Sequence, residues 1–285
     1  MTALLEVRRE IDRALAQHGL RPRRVVLISP LKERKGIRFA YRVDLEDGRT
    51  VKARHFGSEE GARRLFELGA GLGAAFARPL AQYGPVLVEE WIEGTSLGDR
   101  EAEAWAEDAG ILLGRLHTTP LGAEVPPTSS TQRWREAAES DLALISLAGK
   151  LSAGDVASLQ SEIARRDPEV ARVVLIHKDF CAENMLLDAR GRLRIIDNEQ
   201  LEIAPAAFDL GRTFHRWPMS DETWTRFLRG YRSSAFMEPE AIAFWRIVAS
   251  LETSRVFLQR FPERLDASLG LLRRFAEGRS LSDSP

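Results

Sequence analysis

Residues 173–197 set the strongest constraint on what this chain can fold into. An apolar run, Val173-Val174-Leu175-Ile176, leads into the polar stretch His177-Lys178-Asp179-Phe180-Cys181-Ala182-Glu183-Asn184, and a second apolar run, Met185-Leu186-Leu187, follows at once. After the turn Asp188-Ala189-Arg190-Gly191-Arg192, a further run, Leu193-Arg194-Ile195-Ile196, ends in Asp197. Two short strands joined by a polar turn would bring Asp179, Asn184 and Asp197 to one end of a hairpin. There a general base would face two oxygen ligands for a hard divalent cation. The plain alternative is a loop whose polar residues cap their own backbone. A histidine, an aspartate and an asparagine together are more chemistry than capping requires.

A chain of 285 residues with 44% hydrophobic content can bury a sizeable core, split between two lobes. The net charge of -1 gives no reason to expect nucleic acid or an anionic membrane as a partner. Cys181 is the only cysteine, so there is no intrachain disulfide and no cysteine-based zinc cage. The N-terminal residues read as an amphipathic helix, with Leu4, Leu5, Val7, Ile11 and Leu15 on one side and Arg8, Arg9, Glu10 and Arg13 on the other. No apolar block has the length of a signal peptide or a membrane span, so the expectation is a soluble cytoplasmic protein, monomer or homodimer.

The first hundred residues are strand-rich. Val25-Val26-Leu27-Ile28 reads as a buried strand, and residues 38–45 and 49–54 as a hairpin turning at Glu46-Asp47-Gly48. Ser58 caps a helix that ends at the glycines 69, 71 and 73, and residues 85–92 form another strand closed by Glu93-Gly94. From Asp99 onward helical spacing dominates: 101–117, 131–148, 153–166, 221–231, 240–258 and 262–275, with a frayed tail at 280–285.

On these residues the chain resembles the aminoglycoside phosphotransferase and choline kinase superfamily, the small-molecule branch of the protein-kinase-like fold. The resemblance rests on Leu175-Ile176-His177-Lys178-Asp179 with Asn184-Met185-Leu186, on Ile195-Ile196-Asp197 and on Ala207-Phe208-Asp209-Leu210. Leu87 to Gly94 and Leu113-Gly114-Arg115-Leu116-His117 support it. It implies an α+β, bilobal, protein-kinase-like fold. An N-terminal nucleotide-binding lobe (residues 1–93) would hold an antiparallel sheet and one main helix. A larger, mostly helical lobe (94–285) would carry catalysis and the acceptor.

The implied activity is transfer of the γ-phosphate of ATP to a hydroxyl of a small molecule: an antibiotic such as an aminoglycoside, a sugar or an amino alcohol. Asp179 would receive or orient the acceptor proton, and Asn184 and Asp197 would hold Mg2+. Asp209 would brace the catalytic loop from a buried position, with His177 in a similar role. The phosphate-pairing cation is Arg54 or Lys52. Strand alternation puts both on one face, and the end-of-strand position favours Arg54. Its partner would be Glu60 on the next helix, or failing that Glu67. The carbonyl of Glu90 and the amide of Ile92 would receive adenine. Rival readings are a kinase for a glycolipid or protein acceptor, and a pseudokinase that serves as a binding module.

The chain departs from the family pattern in several places. Residues 30–38 hold one glycine and the cations Lys32, Arg34, Lys35 and Arg38, which are candidates for phosphate contact. Lys178 stands where the family often has glycine, and Asn198 where an aromatic is usual. Cys181 reads as a buried apolar filler. Arg212, His215, Arg216 and Trp217 either line an acceptor pocket for an anionic or sugar-like molecule or divide between core and surface.

Overall fold

The computed structural model of the chain describes residues 2–33, 36–122, 124–235 and 241–278. It begins with α1 (Thr2–Gln17), β1 (Pro22–Glu33), β2 (Gly36–Leu45), β3 (Thr50–His55) and α2 (Glu59–Gly69). Next come β4 (Pro79–Tyr83), β5 (Val86–Glu90), β6 (Thr95–Ser96), α3 (Asp99–Glu103) and α4 (Ala106–His117). The chain continues through β7 (Thr128–Ser130), α5 (Gln132–Leu147), α6 (Ala153–Arg166), β8 (Val170–Ile176), β9 (Met185–Leu187), β10 (Leu193–Ile195) and β11 (Glu202–Pro205). Four helices close it: α7 (Ala206–Arg216), α8 (Asp221–Ala235), α9 (Ile242–Arg260) and α10 (Leu265–Ala276). Among the described residues no helix is long and apolar enough to cross a membrane.

Two compact units result. One is Met1–Ser96 with Met185–Leu201; the other is Leu97–Asn184 with Glu202–Pro285. The sequence places the division after residue 93 and leaves the 185–201 hairpin with the helices. In the structure the hairpin joins the sheet-bearing unit because its edges are hydrogen-bonded there. Thr95 of β6 pairs with Leu187 of β9. On the other side, Ile195 N donates to Ala75 O and Ala77 N to Ile195 O.

The first unit is built on a five-stranded antiparallel sheet in the order β1-β2-β3-β5-β4. Strand alternation divides β3 cleanly. Val51 and Ala53 join the core formed with Val7, Ile11 and Leu15 of α1, while Lys52 and Arg54 occupy the other face. Each of the large α1 side chains removed from water there contributes about 1.5–3 kcal/mol. Leu4 and Leu5, assigned to the same apolar side, remain exposed. Edge strand β4 was not legible in the sequence. It is short and opens on Pro79, as an edge strand tolerates. Ser58 caps α2 as expected, its hydroxyl accepting from Gly61 N at 3.2 Å.

The second unit is mainly helical. The helix expected over 101–117 is broken at Ala104–Trp105 into α3 and α4. Helices α4 and α8 meet backbone to backbone: a Cβ on Gly110 would lie 2.0 Å from Phe227 O, and one on Gly230 would lie 2.0 Å from Glu107 O. Trp134, Phe208 and Trp245 form the aromatic centre of the larger core, with the Trp134 and Phe208 rings 4.3 Å apart. Strand β8 lies between β11 and β7, which fixes the direction in which the chain enters residues 177–184. The tail at 280–285, Glu240 at the expected start of α9, and Arg34 and Lys35 lie outside the described residues, as do the side chains of Lys32 and Arg38.

Candidate active site

The charged face of β3 lines a cavity of about 420 Å³ within the first unit. Ala40, Ile92, Leu186 and Ile196 give it apolar walls, and Lys52, Arg54 and Asp197 stand on its polar side. Strand β5 ends at Glu90, and residues 91–94, which also line the cavity, carry no strand pairing. That is the arrangement a flat heteroaromatic ring needs: apolar faces and an edge of main-chain donors and acceptors. The Glu90 carboxylate turns to Arg194 at 3.4 Å and Arg78 at 3.7 Å.

Arg54 is almost fully buried and surrounded by three carboxylates. Its Nη2 donates to Asp197 Oδ1 at 2.7 Å and its Nη1 to Glu199 Oε2 at 2.5 Å. Its Nε lies 3.3 Å from Glu89 Oε2, a charge contact without hydrogen-bond alignment. Lys52, more exposed, reaches Asp197 Oδ1 at 3.3 Å and has register partner Glu89 on β5. Burial penalises the Arg54 charge, yet the surrounding carboxylates outweigh it and raise its pKa further. Asp197 is the converse: burial pushes its carboxyl up, and Arg54 and Lys52 pull it down to about 2. Its backbone is left-handed, φ 66° and ψ 50°, which an Asp tolerates better than most residues.

Three carboxylates against two cations leave the cluster one negative charge in excess, on hard oxygen donors. That donor set suits a divalent cation such as Mg2+. Among the described residues no three His, Cys, Asp or Glu side chains form a metal cage. A cation here would therefore complete its shell with phosphate oxygens and water.

In the second unit, residues 177–184 are held from beneath by Asp209 of α7, which is wholly buried. Its carboxylate accepts from the backbone N–H of His177 and of Lys178, both at 2.7 Å, and from His117 Nε2 at 3.1 Å. Burial alone would raise the Asp209 pKa. The hydrogen bond and charge from His117, with His177, hold it below the usual range instead. An ionised Asp209 can only accept, so His117 donates to it from Nε2, and its Nδ1 shares a hydrogen bond with the Tyr231 hydroxyl at 2.9 Å. Burial and the Asp209 charge keep that phenol protonated.

The loop's reactive end is equally constrained. Asn184 Nδ2 donates to Asp179 O at 2.8 Å and lies 3.3 Å from Asp179 Oδ2. With its NH2 group engaged on Asp179, the amide leaves Oδ1 as a ligand oxygen. Arg216 Nε stands 3.1 Å from Asp179 Oδ1, unaligned for a hydrogen bond, while Arg216 Nη2 donates to Glu183 Oε2 at 3.2 Å. Arg212 Nε donates to Lys178 O at 3.1 Å. Lys178 itself has φ 66°, the conformation glycine adopts without strain, and its ammonium turns to Glu202 at 3.1 Å.

Several expected residues converge and others do not. Lys52, Arg54, Glu90, Ile92 and Asp197 meet at one cavity, and Asp179 and Asn184 meet at one loop. Glu60 does neither. It is exposed in the first turn of α2, where its charge complements the helix dipole, and Glu67 pairs with Arg63 instead. Glu89 and Glu199 take the place foreseen for Glu60. Arg212 and Trp217 belong to buried structure, whereas Arg216 reaches Asp179. Asn198, in the aromatic's usual place, is buried and ties the hairpin to Ala77 O at 2.6 Å. Cys181 is buried, and burial with Asp179 pushes its thiol up to about 11, which suppresses thiolate chemistry. His117 sits in a motif legible in the sequence; Tyr231 carried no signal.

The five-stranded antiparallel sheet, the loop braced by Asp209 and the hairpin ending at Asp197 are the parts of a protein-kinase-like fold. A family model described as the phosphotransferase enzyme family (APH) matches residues 34–245, and the chain belongs to that family. Comparison with curated protein sequences gives no match. Among solved structures it is similar to the choline kinase LicA from Streptococcus pneumoniae, with TM-score 0.66 and 17% identity over 96% of this chain and 99% of that one. It is similar also to a macrolide 2'-phosphotransferase type I, with TM-score 0.64 and 16% identity over 91% and 94%. An ADP-bound aminoglycoside phosphotransferase, APH(2'')-Ib, gives TM-score 0.62 and 16% identity over 95% and 98%.

Proposed function

We propose that the protein transfers the γ-phosphate of ATP to a hydroxyl of a small molecule. The observation that carries this reading is Asp197: an ionised carboxylate in a left-handed backbone, held by Lys52 and Arg54 at the edge of an apolar, ring-sized cavity. Adenine lies against Ala40, Leu186 and Ile196 and is read by the Glu90 carbonyl and the Ile92 amide. Asp197 and Asn184 would supply oxygens to Mg2+, which when bound would neutralise charge on the transferring phosphoryl group.

Lys52, more exposed and holding Asp197 by a single contact, is the cation better placed to follow the phosphates. Arg54, bound to three carboxylates, anchors Asp197 and Glu199 rather than the nucleotide. Asp179 orients the acceptor hydroxyl and takes its proton; Asn184 and Arg216 fix its two carboxylate oxygens. Because phosphoryl transfer proceeds through a loose transition state, positioning by these groups is most of what catalysis demands. The bracing of residues 177 and 178 by Asp209 supplies that positioning.

The test is Mg2+-dependent transfer from ATP to a panel of aminoglycosides, sugars and amino alcohols, with nucleotide binding measured alongside. Phosphorylated product supports the reading. Failure to bind Mg-ATP would favour the pseudokinase instead.

A further inference from the structure

A second cavity, of about 620 Å³, lies wholly in the helical unit. Three guanidinium groups line it: Arg216 at the end of α7, Arg264 just before α10, and Arg274 in the last turn of α10. Phe214 and Phe257 add aromatic wall. Two carboxylates share that lining. Glu183 accepts from Arg216 at 3.2 Å. Asp221 stands in the first turn of α8, and its charge bears on the partly buried Arg246, whose guanidinium lies 3.8 Å over the Phe214 ring and 5.0 Å over Trp224. His215, also in the lining, is kept neutral by burial and by the neighbouring Arg212 and Arg216. The lining therefore carries three guanidiniums against two carboxylates. A positively charged occupant would lose its hydration against like charges, whereas a phosphate or carboxylate would meet planar, bidentate donors.

Arg216 joins this cavity to the catalytic loop, because the same guanidinium stands 3.1 Å from Asp179 Oδ1. Resting on the phosphotransferase reading above, we propose that the cavity receives the acceptor and that the acceptor is an anionic hydroxy compound. Its phosphate or carboxylate group is bound by Arg264, Arg274 and Arg216, and its hydroxyl is presented to Asp179. Polycationic aminoglycosides and amino alcohols are disfavoured by the same charges.

The test titrates the ADP-saturated protein with glucose 6-phosphate, gluconate, glucose and glucosamine, so that the nucleotide site cannot contribute. At least one anion should bind about tenfold more tightly than glucose, and glucosamine should bind more weakly still. Comparing the two anions separates a phosphate site from a carboxylate site. Arg264→Gln and Arg274→Gln should each bring the anion-to-glucose ratio down by about tenfold. The proposal is overturned if no anion binds, if glucose or glucosamine binds as well, or if both variants keep the wild-type ratio. The kinase reading fails on a different result, absence of Mg-ATP binding. Transfer only to neutral or cationic hydroxyl compounds would keep the kinase reading and overturn the anionic acceptor.

Discussion

Two buried polar networks, one in each unit, are built on opposite plans. In the first unit a single cation, Arg54, is surrounded by the carboxylates of Glu89, Asp197 and Glu199. In the second a single carboxylate, Asp209, is surrounded by two backbone N–H groups and the His117 imidazole. The first network is crowded with charge and, with Lys52 counted beside Arg54, in excess by one negative unit, so its energy depends on what else arrives. The second is closed: every donor aimed at Asp209 is satisfied, and its product is a fixed loop shape. One network is arranged to answer a ligand and the other to hold geometry.

That contrast is broken most directly by comparing Asp197→Asn with Asp209→Ala. Asp197→Asn should depress phosphoryl transfer by on the order of 10³-fold while shifting the unfolding midpoint little, since Arg54 keeps Glu89 and Glu199. Kinetics and thermal unfolding on one preparation check both halves. Asp209→Ala should do the reverse in its primary effect, lowering stability by about 4 kcal/mol because two loop N–H groups and His117 lose their acceptor. Denaturant unfolding measures it, and an unchanged midpoint would remove the bracing role.

A smaller effect sharpens the role of burial without a full set of partners. Asp141 pairs with Arg255 at 2.7 Å, yet burial raises its pKa to about 6, with Glu252 adding to the rise. Its folded pKa lies above the unfolded value near 4, so the folded state holds a proton between pH 4 and 6 that the unfolded state has lost. Stability therefore declines as pH rises through that window, by up to about 3 kcal/mol. His215 acts oppositely: its folded pKa of about 4 lies below its unfolded value, so its contribution is lost as pH falls from 6.5 toward 4. The difference between wild type and Asp141→Asn isolates the first term, and it should grow from pH 4 to pH 6 in favour of the variant.

The smallest effect expected is that of Lys178→Gly. Relief of the left-handed backbone, about 1 kcal/mol, is set against loss of the Glu202 contact, so the midpoint should move by less than about 1 kcal/mol in either direction.

Residues 173–197 are legible because their information is local. Strand, polar loop, hairpin and terminal Asp follow one another within residues 173–197, and the alternation of β3 placed Lys52 and Arg54 together. What escaped the sequence depends on long-range placement. Glu60 was expected beside the cation because α2 follows β3, but the position of a carboxylate on a helix's first turn says nothing about where that turn faces. Glu89 reaches the cluster only because β3 and β5 are neighbours in the sheet. Arg216 reaches Asp179 only because α7 ends beside the loop, and α7 itself hid within a segment read as basic and aromatic. The hairpin's membership of the first unit depends on pairing with β6, two residues long and without a sequence signature.

The proposed phosphoryl transfer is decided by following γ-phosphate transfer from ATP with and without Mg2+, in wild type and in Asp179→Ala. Product should form only with Mg2+, and the variant should fall by about 10²–10⁴-fold with nucleotide binding retained. Transfer by Asp179→Ala at the wild-type rate, or a wild type that binds no Mg-ATP, would contradict it.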